Sequence, residues 1–510
     1  MPRATASENT VSSWIVNQLG WIFLALLALS PALFGANVPL AWGLNAAGFG
    51  LFAMIFAGTY ALCGRALPVP VSRLAIAVLP VALLLCWIML QASSWLPASW
   101  QHPAWAAAAG LLGVEFDGAV SVNPHETRLG ALRLATAATV FVLAAQIGRE
   151  PHWARRLVTA VAVIPTLWVL AAVVAKTNQS SLHPFQPLSR IVAFEGQLTG
   201  PFVNQNHFAI YLGLGLVAAW ALFIDGVGLR SVDQGLSRAR AVAARIADVG
   251  GRLLLYSVLL LPLFGGVLMT GSRAGLLLTG FAMLLVSILV LMQPGSTAYR
   301  RGVVLSTVAL AAASALVVLE VHGERVTAEL SASNGASDFG SRLAVADMSM
   351  RAIAERPILG HGYATFADVF PLYRDGRIEI TGRWEEAHNA YIEGMLGLGV
   401  PAALLLALPI AWIALQCMLA GIRRRRNRFA PLAAFGGAVL LGLHALIDFS
   451  IQIQGVTLLF ATLLGVGYSQ SWSSREELRS ISPRPTRRKR PDGRFSGSPV
   501  ASAVAHGNLR

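Results

Sequence analysis

Long apolar runs alternate with short polar segments along the first 470 residues of the chain. The runs are about 18–22 residues long, which is enough for a helix to cross a hydrocarbon core of roughly 30 Å. They predict twelve membrane-spanning helices, near residues 15–34, 39–62, 74–92, 129–147, 155–175, 206–224, 253–270, 274–292, 303–321, 394–418, 430–447 and 454–470. The pattern therefore indicates an all-α, polytopic membrane protein.

The two ends of the chain differ from this pattern. Residues 1–14 are polar, and no small-residue cleavage site follows a short apolar core, so we expect a cytoplasmic N-terminus and a retained first span. Residues 15–470 form the predicted transmembrane domain. Residues 471–510 are rich in Ser, Pro, Arg and Gly, which predicts a disordered basic cytoplasmic tail. We expect that tail either to contact anionic membrane lipid or only to determine topology, and not to bind nucleic acid.

Composition supports a membrane protein. Of the 510 residues, 55% are hydrophobic and only 13% are charged, and the mean hydropathy is +0.61. Soluble proteins carry about a quarter charged residues. Cys63, Cys86 and Cys417 all lie within or at the end of apolar runs. They are expected to be core residues, since neither a disulfide framework nor a cysteine–metal site is indicated.

The net charge of +14 gives an orientation through the placement of its arginines. With the N-terminus in the cytoplasm, the arginine-bearing short loops, from Arg65 and Arg73 to the run 423–428, all fall on the cytoplasmic face, as the positive-inside rule requires. The same arrangement places three longer loops outside, near residues 93–128, 176–205 and 322–393. The last of these is the one large periplasmic loop of the predicted topology.

This large loop carries arginines on the side where short loops avoid them. They are Arg325, Arg342, Arg351, Arg356, Arg374, Arg377 and Arg383. A long loop is translocated despite its charge, and the cluster indicates an anionic ligand. Residues 342–355 fit an amphipathic helix lying across the bundle, with Leu343, Ala346 and Met350 along one face and Pro357 beyond its end.

Two motifs on the outer face suggest anion contacts. Residues 200–207 have the sequence Gly-Pro-Phe-Val-Asn-Gln-Asn-His, in which Gly-Pro favours a turn and Asn204 or Asn206 can cap the next helix. A second interpretation makes the same amides, with His207, a binding site for an anion or a sugar hydroxyl at a helix N-terminus. Arg273 follows a tight Gly-Ser turn. It is either a snorkelling arginine or, the better interpretation, a fixed guanidinium for phosphate.

His388 lies where the large polar loop meets an apolar helix. A lone histidine is usually a structural residue, but this position, facing an arginine-rich loop, favours a catalytic base. His444 and Asp448, one helical turn apart, are either functional or paired as a structural lock. The sequence contains no Asp-x-Asp, P-loop or His-x-x-x-His motif, so a metal-dependent nucleotide-sugar transferase, an ATPase and a zinc enzyme are not indicated.

Four motifs in this order, at residues 200–207, 271–273, 356–362 and 387–393, resemble the O-antigen ligase and polymerase superfamily. The resemblance covers roughly residues 190–420. It implies a glycosyltransferase-C-like fold of about twelve transmembrane helices and a metal-independent, inverting enzyme without a cofactor. It also implies an undecaprenyl-diphosphate-linked glycan as donor. The acceptor stays open between lipid A–core, another lipid-linked glycan and a protein, and so does the choice between ligase and polysaccharide polymerase.

The resemblance also assigns roles to residues. His388 takes the place of the superfamily's essential histidine, Arg273 that of its essential arginine, and Arg342 falls where a further loop arginine is expected. The other candidates for contact with the diphosphate or glycan are Arg351, Asn204, Asn206, His207, His361 and Tyr391. The implied location is the bacterial inner membrane, with the site facing the periplasm. A glycan-lipid flippase is the alternative, although it should show two repeated halves and charged residues near the midplane.

Overall fold

The computed structural model describes residues 6–115, 117–178, 197–228, 238–292, 305, 338–378, 384–424 and 427–472, and within them every regular element is helical. The helices are α1 (Ala6–Leu29), α2 (Pro39–Leu62), α3 (Val71–Gln91), α4 (Pro103–Leu112), α5 (Pro124–Ile147), α6 (Pro151–Thr177), α7 (Gln205–Gly228), α8 (Arg238–Thr270), α9 (Arg273–Leu291), α10 (Asp338–Glu355), α11 (Phe366–Val369), α12 (Ala390–Leu398), α13 (Val400–Arg423), α14 (Phe429–His444) and α15 (Gln454–Ser469). Short 3-10 turns lie at Phe34–Ala36, Ala98–Trp100, Phe370–Leu372 and Ser450–Gln452.

Seven of the described helices are long and apolar enough to cross a membrane, namely α2, α3, α5, α6, α7, α9 and α13. Shorter apolar helical stretches lie in α1, α4, α8, α14 and α15. The protein is therefore an all-helical, multi-pass membrane protein. The span predicted at 303–321 lies outside the described residues apart from Leu305. The count of twelve spans and the large periplasmic loop stay predictions.

α7 is the central helix of the bundle. It packs against α6, α8, α9 and α14, and nearly all of its membrane-length stretch is buried. Phe208 and Tyr211 near its start are fully buried. Side chains at the beginning of α7 are therefore carried by a deeply buried helix, which fixes their positions.

The helix predicted near 394–418 is broken in two. α12 ends at Leu398, Gly399 has a φ of 81°, and α13 begins at Val400 with a proline in its first turn, where the missing N–H costs no helical hydrogen bond. A side chain at Gly399 would overlap the backbone carbonyl of Ile358. The Val400 N–H donates to the Pro357 carbonyl at 2.7 Å. The break therefore lets the polar segment before α11 pack against the junction between α12 and α13.

The predicted amphipathic helix at 342–355 is confirmed as α10, but its predicted buried face is wrong. Val345, Met348 and Ala352 are buried, whereas Leu343 is 60% and Met350 47% exposed. The buried residues join Phe366 and Phe370 in a small core that packs on α12. Both sets of apolar residues, the exposed and the buried one, have helical spacing along α10. Which set is buried depends on where α12 lies.

Candidate active site

The carboxylate of Asp448 lies at the centre of a polar group where α12 begins and α14 ends, which we call the site end of the bundle. Its Oδ1 lies 3.3 Å from His388 Nδ1 and 3.8 Å from His207 Nε2. Its Oδ2 accepts a hydrogen bond from Asn206 Nδ2 at 3.0 Å. The backbone N–H of Phe449 donates to Oδ1 at 2.8 Å. A carboxylate that is 1% exposed therefore meets two imidazoles and two N–H donors.

This environment keeps Asp448 ionised. Burial by itself would raise its pKa, but the imidazoles of His207 and His388 beside it, together with the positive charge that an imidazole carries when protonated, hold the pKa of the carboxyl well below its usual range. A fixed negative charge beside Nδ1 of His388 favours the tautomer with its proton on Nδ1. That leaves Nε2 as the basic nitrogen and stabilises the ring once it becomes protonated.

The backbone holds His388 in an uncommon conformation. Its φ is 50°, in the left-handed region, where a side chain costs conformational energy. The next residue, Asn389, caps α12 by accepting two backbone N–H groups, and its Nδ2 donates to the Leu446 carbonyl at 2.9 Å. The Ala390 N–H donates to the Ala445 carbonyl at 2.9 Å. These bonds tie the start of α12 to the end of α14, so His388 and Asp448 are presented together.

Aromatic rings fix the planes of the two imidazoles. Phe449 makes edge-on contacts with both, at 4.6 Å between centroids for His207 and 5.2 Å for His388. Trp384, in the segment before α12, lies edge-on to His388, with 5.7 Å between the ring centroids. The His388 side chain is nevertheless 23% exposed. A substrate can therefore reach the ring, while its orientation is set by its neighbours.

One of the predicted arginines contacts the segment that contains Asp448. Arg342 on α10 donates to the Ile447 carbonyl, next to Asp448, at 2.9 Å. Arg273 opens α9 directly after the capping residue Ser272, and Gly275 in the same turn packs against Ala209, close to the start of α7. Helix α10 thus brings a guanidinium group to the Asp448 segment, and α9 begins beside the start of α7.

The sequence model of the O-antigen ligase family matches residues 258–407. The match supports the assignment to the O-antigen ligase and polymerase superfamily that the motifs predict. It implies an activity of the O-antigen ligase or polymerase type. No curated protein matches the chain. The matched domain contains Arg273, Arg342 and His388, whereas His207 and Asp448 reach the ligase site from outside it.

Other predicted site residues serve local contacts. Asn204 Oδ1 accepts the Asn206 N–H at 2.7 Å and so caps α7, which confirms its predicted capping role. Tyr391 donates its hydroxyl hydrogen to the Gly442 carbonyl at 2.9 Å and is 41% exposed. It thereby adds a second bond between α12 and α14, beside the site.

The structure does not bring Arg351 or His361 to the ligase site. Arg351 lies in an exposed ion cluster, 3.3 Å from Asp347 and 3.4 Å from Asp375. His361 is 1% exposed and bonds to His102 at 2.9 Å and to the Ala352 carbonyl at 2.9 Å. Their predicted contacts with substrate stay predictions. Arg325 and Arg383 lie outside the described residues.

Asp448 is the site residue whose role the sequence left open. The lock with His444 was one interpretation of their spacing. The Asp448 carboxylate instead lies 3.3 Å from His388 Nδ1 and 3.8 Å from His207 Nε2. The position of an acid at the end of an apolar run indicated that Asp448 has a role. The residues that contact its carboxylate, however, are distant in sequence.

Proposed function

We propose that the protein transfers glycan from an undecaprenyl-diphosphate-linked donor to an acceptor hydroxyl, as an inverting, metal-independent glycosyltransferase. The observation that carries the proposal is the His388–Asp448 pair, with Nδ1 and Oδ1 3.3 Å apart, inside a ligase-family chain. The pair supplies a base next to the Ile447 carbonyl, which accepts a hydrogen bond from Arg342.

His388 acts as the general base. The acceptor hydroxyl loses its proton to Nε2 as its oxygen attacks the anomeric carbon of the donor sugar. The bond between that carbon and the phosphate oxygen breaks, and its electron pair leaves with the lipid diphosphate. Attack from the face opposite the leaving group inverts the anomeric configuration. Asp448 stabilises the imidazolium that forms, as a buried carboxylate does in other acid–base sites.

Arg342 and Arg273 stabilise the leaving diphosphate. A guanidinium donates two parallel N–H bonds to phosphate oxygens and keeps its charge at any accessible pH. Two such groups in fixed positions favour the charge that develops as the glycosidic bond breaks. The Arg342 guanidinium, bonded to the Ile447 carbonyl, is a cation that the site offers.

The site end of the bundle faces the periplasm in this proposal, and the protein lies in the bacterial inner membrane. Support comes from the short arginine-rich loops, which the positive-inside rule assigns to the cytoplasm. Reporter fusions at Asp338 and directly after Arg428 test it. They should give periplasmic and cytoplasmic signals respectively, and the reverse pair would overturn the orientation.

The activity is tested with purified protein in liposomes that contain undecaprenyl-diphosphate glycan, an acceptor glycan and a chelator. The proposal expects a new glycosidic product and free undecaprenyl diphosphate. Activity that is lost with chelator and restored by magnesium or manganese would contradict metal independence. A flippase would move the donor across the bilayer without forming a product, and the ligase-family match favours transfer over that alternative.

A further inference from the structure

The loop that carries His388 is closed by a buried acid. Glu393 lies in the first turn of α12 and is 6% exposed. Its Oε2 accepts the backbone N–H of Ala387, the residue before His388, at 3.1 Å. Its own backbone N–H donates to the carbonyl of Asn389, the residue after His388, at 3.1 Å. Glu393 therefore holds the backbone on both sides of the candidate base.

The bond to Ala387 matters because of where that residue lies. Ala387 is 1% exposed and belongs to the small core that contains Val345 and Phe370. Without the Glu393 carboxylate, its buried N–H would lose its acceptor, which is costly. His388 follows directly with a φ of 50°, a conformation that persists only where the surroundings fix it. The bond thus fixes the loop at the point where the backbone is strained.

A second acid lies against Glu393. The carboxyl of Glu386, two residues before His388, is within hydrogen-bonding reach of the Glu393 carboxyl. Burial, followed by the negative charge of Glu393, raises the pKa of Glu386 well above its usual range. Two carboxyls placed in this way share one proton, and the protonated one donates an O–H to the ionised one. The two acids therefore join the beginning of the loop to the first turn of α12.

The charges around the two acids favour a single negative charge between them. Arg133 on α5 attracts the ionised form of Glu386, and the exposed Glu385 disfavours it. Tyr363, in the segment before α11, lies near Arg133 and both acids, and burial raises the pKa of its phenol, which stays neutral. One guanidinium thus meets two carboxyls, and their charges balance when the carboxyls hold one proton.

We propose that Glu386 and Glu393 are positioning residues for His388. The bond between the two acids, and the bond from Glu393 to the Ala387 N–H, keep the loop closed and hold the imidazole where it takes the acceptor proton. Neither acid touches the substrate in this role. The inference rests on the proposed function, in which His388 is the base. Since the two acids attract each other only while they share a proton, alkaline pH opens the loop and lowers transfer.

The first test is the pH dependence of kcat in the liposome transfer assay. The wild type should lose kcat on the alkaline side, where both carboxyls ionise and repel each other. Glu386→Gln donates an N–H to the Glu393 carboxylate at every pH. It should therefore retain more kcat at neutral pH than Glu386→Ala and show no alkaline loss. An alkaline loss that persists in Glu386→Gln, or a wild type without one, would overturn the inference.

The matched control for this test is the acid next in the chain. Glu385→Gln removes the same charge from an exposed position beside Glu386. It leaves both members of the acid pair in place, so the alkaline loss should remain. Disappearance of the loss in Glu385→Gln would show that it follows the general charge of the segment, and this result would also overturn the inference.

Removal of the buried bond gives a second test. Glu393→Ala deprives the Ala387 N–H of its acceptor and should lower kcat by roughly 10–100-fold, because a misplacement of about 1 Å can cost about a hundredfold. The KM values should stay close to those of the wild type. Glu393→Gln keeps an oxygen for the Ala387 N–H and should recover much of the loss. Equal losses in both variants, or a near-normal kcat in Glu393→Ala, would contradict the positioning role.

A third measurement needs no turnover. At neutral pH, the infrared difference spectrum between wild-type and Glu386→Gln protein should contain the C=O stretch of a protonated carboxylic acid. Raising the pH should remove this band together with glycan transfer, and its absence at neutral pH would overturn the inference. Near-normal transfer in His388→Ala would instead refute the proposed function on which the inference rests, while the band of the two acids would remain.

Discussion

His388 Nδ1 lies 3.3 Å from Asp448 Oδ1, although His388 precedes α12 and Asp448 follows α14. The contact depends on the backbone bonds between the two helix ends, which hold His388 at a φ of 50°. A residue in the left-handed region persists only where its surroundings fix it, and such positions are common at active sites. The geometry therefore supports a base with a prearranged partner.

Loss of the candidate base is the most direct prediction. His388→Ala should lower glycan transfer by about 10²–10⁴-fold, the usual contribution of a positioned general base. The measurement is the initial rate with folded, membrane-inserted protein that still binds donor lipid. His125→Ala, at an exposed position of α5, should keep the wild-type rate. A near-normal rate in folded His388→Ala would leave the histidine with only a structural role.

Asp448 should act through His388 and not by touching substrate. Asp448→Asn removes the negative charge that stabilises the imidazolium formed when His388 takes the acceptor proton. The kcat of glycan transfer should therefore fall while the KM values for donor and acceptor stay close to those of the wild type. Asp448→Glu keeps the charge and should retain more activity than Asp448→Asn. A large rise in either KM, or an equal loss of kcat in both variants, would contradict the role.

Sequence patterns could predict the elements but only part of the site. Apolar runs located the seven long apolar helices of the described residues, and the amphipathic stretch of α10 was found by its period. The buried face of α10 was missed because Leu343 and Val345 both fit helical stripes, and the choice depends on where α12 lies. The break at Gly399 was missed because it forms only against the Ile358 carbonyl.

The candidate site, too, was predictable only in part. His388 was recognisable because a polar loop enters an apolar helix there. The role of Asp448 was not, since the residues around its carboxylate come from α7 and from the segment before α12. Sequence spacing paired it with His444, the nearer residue. The pattern of a single sequence does not show which residues far apart in the chain come into contact.

The two leading arginines should not tolerate lysine. If Arg342 and Arg273 hold the diphosphate, Arg→Lys should lose nearly as much transfer as Arg→Ala, because an ammonium cannot donate the same pair of parallel bonds. The loss is measured as the rate of glycan transfer at saturating concentrations of donor and acceptor. Arg377→Lys is the control, since Arg377 lies in an exposed ion cluster with Asp347 and Asp375, where a surface pair contributes little. Full activity in Arg273→Lys would leave that residue with only a generic positive charge.

The buried His102–His361 pair should make the fold sensitive to acid. His102 Nδ1 accepts the Ala104 N–H at 3.2 Å, so its Nε2 donates to His361 Nδ1 at 2.9 Å. His361 Nε2 then donates to the Ala352 carbonyl at 2.9 Å. Both rings are neutral in this chain of bonds, and neither can take a second proton without breaking one of them.

Burial, with the charges of His361 and Arg356, lowers the pKa of His102 from 6.5 to about 4. Between these two values the unfolded chain binds more protons than the folded one, so stability is lost as the pH falls from about 6.5 towards 4. The unfolding temperature in detergent should therefore drop between pH 7 and pH 5. His102→Asn keeps a side-chain acceptor for the Ala104 N–H but cannot titrate, and it should show a smaller drop. His125→Asn, at an exposed site, should show the wild-type drop, and an equally large drop in His102→Asn would contradict the assignment.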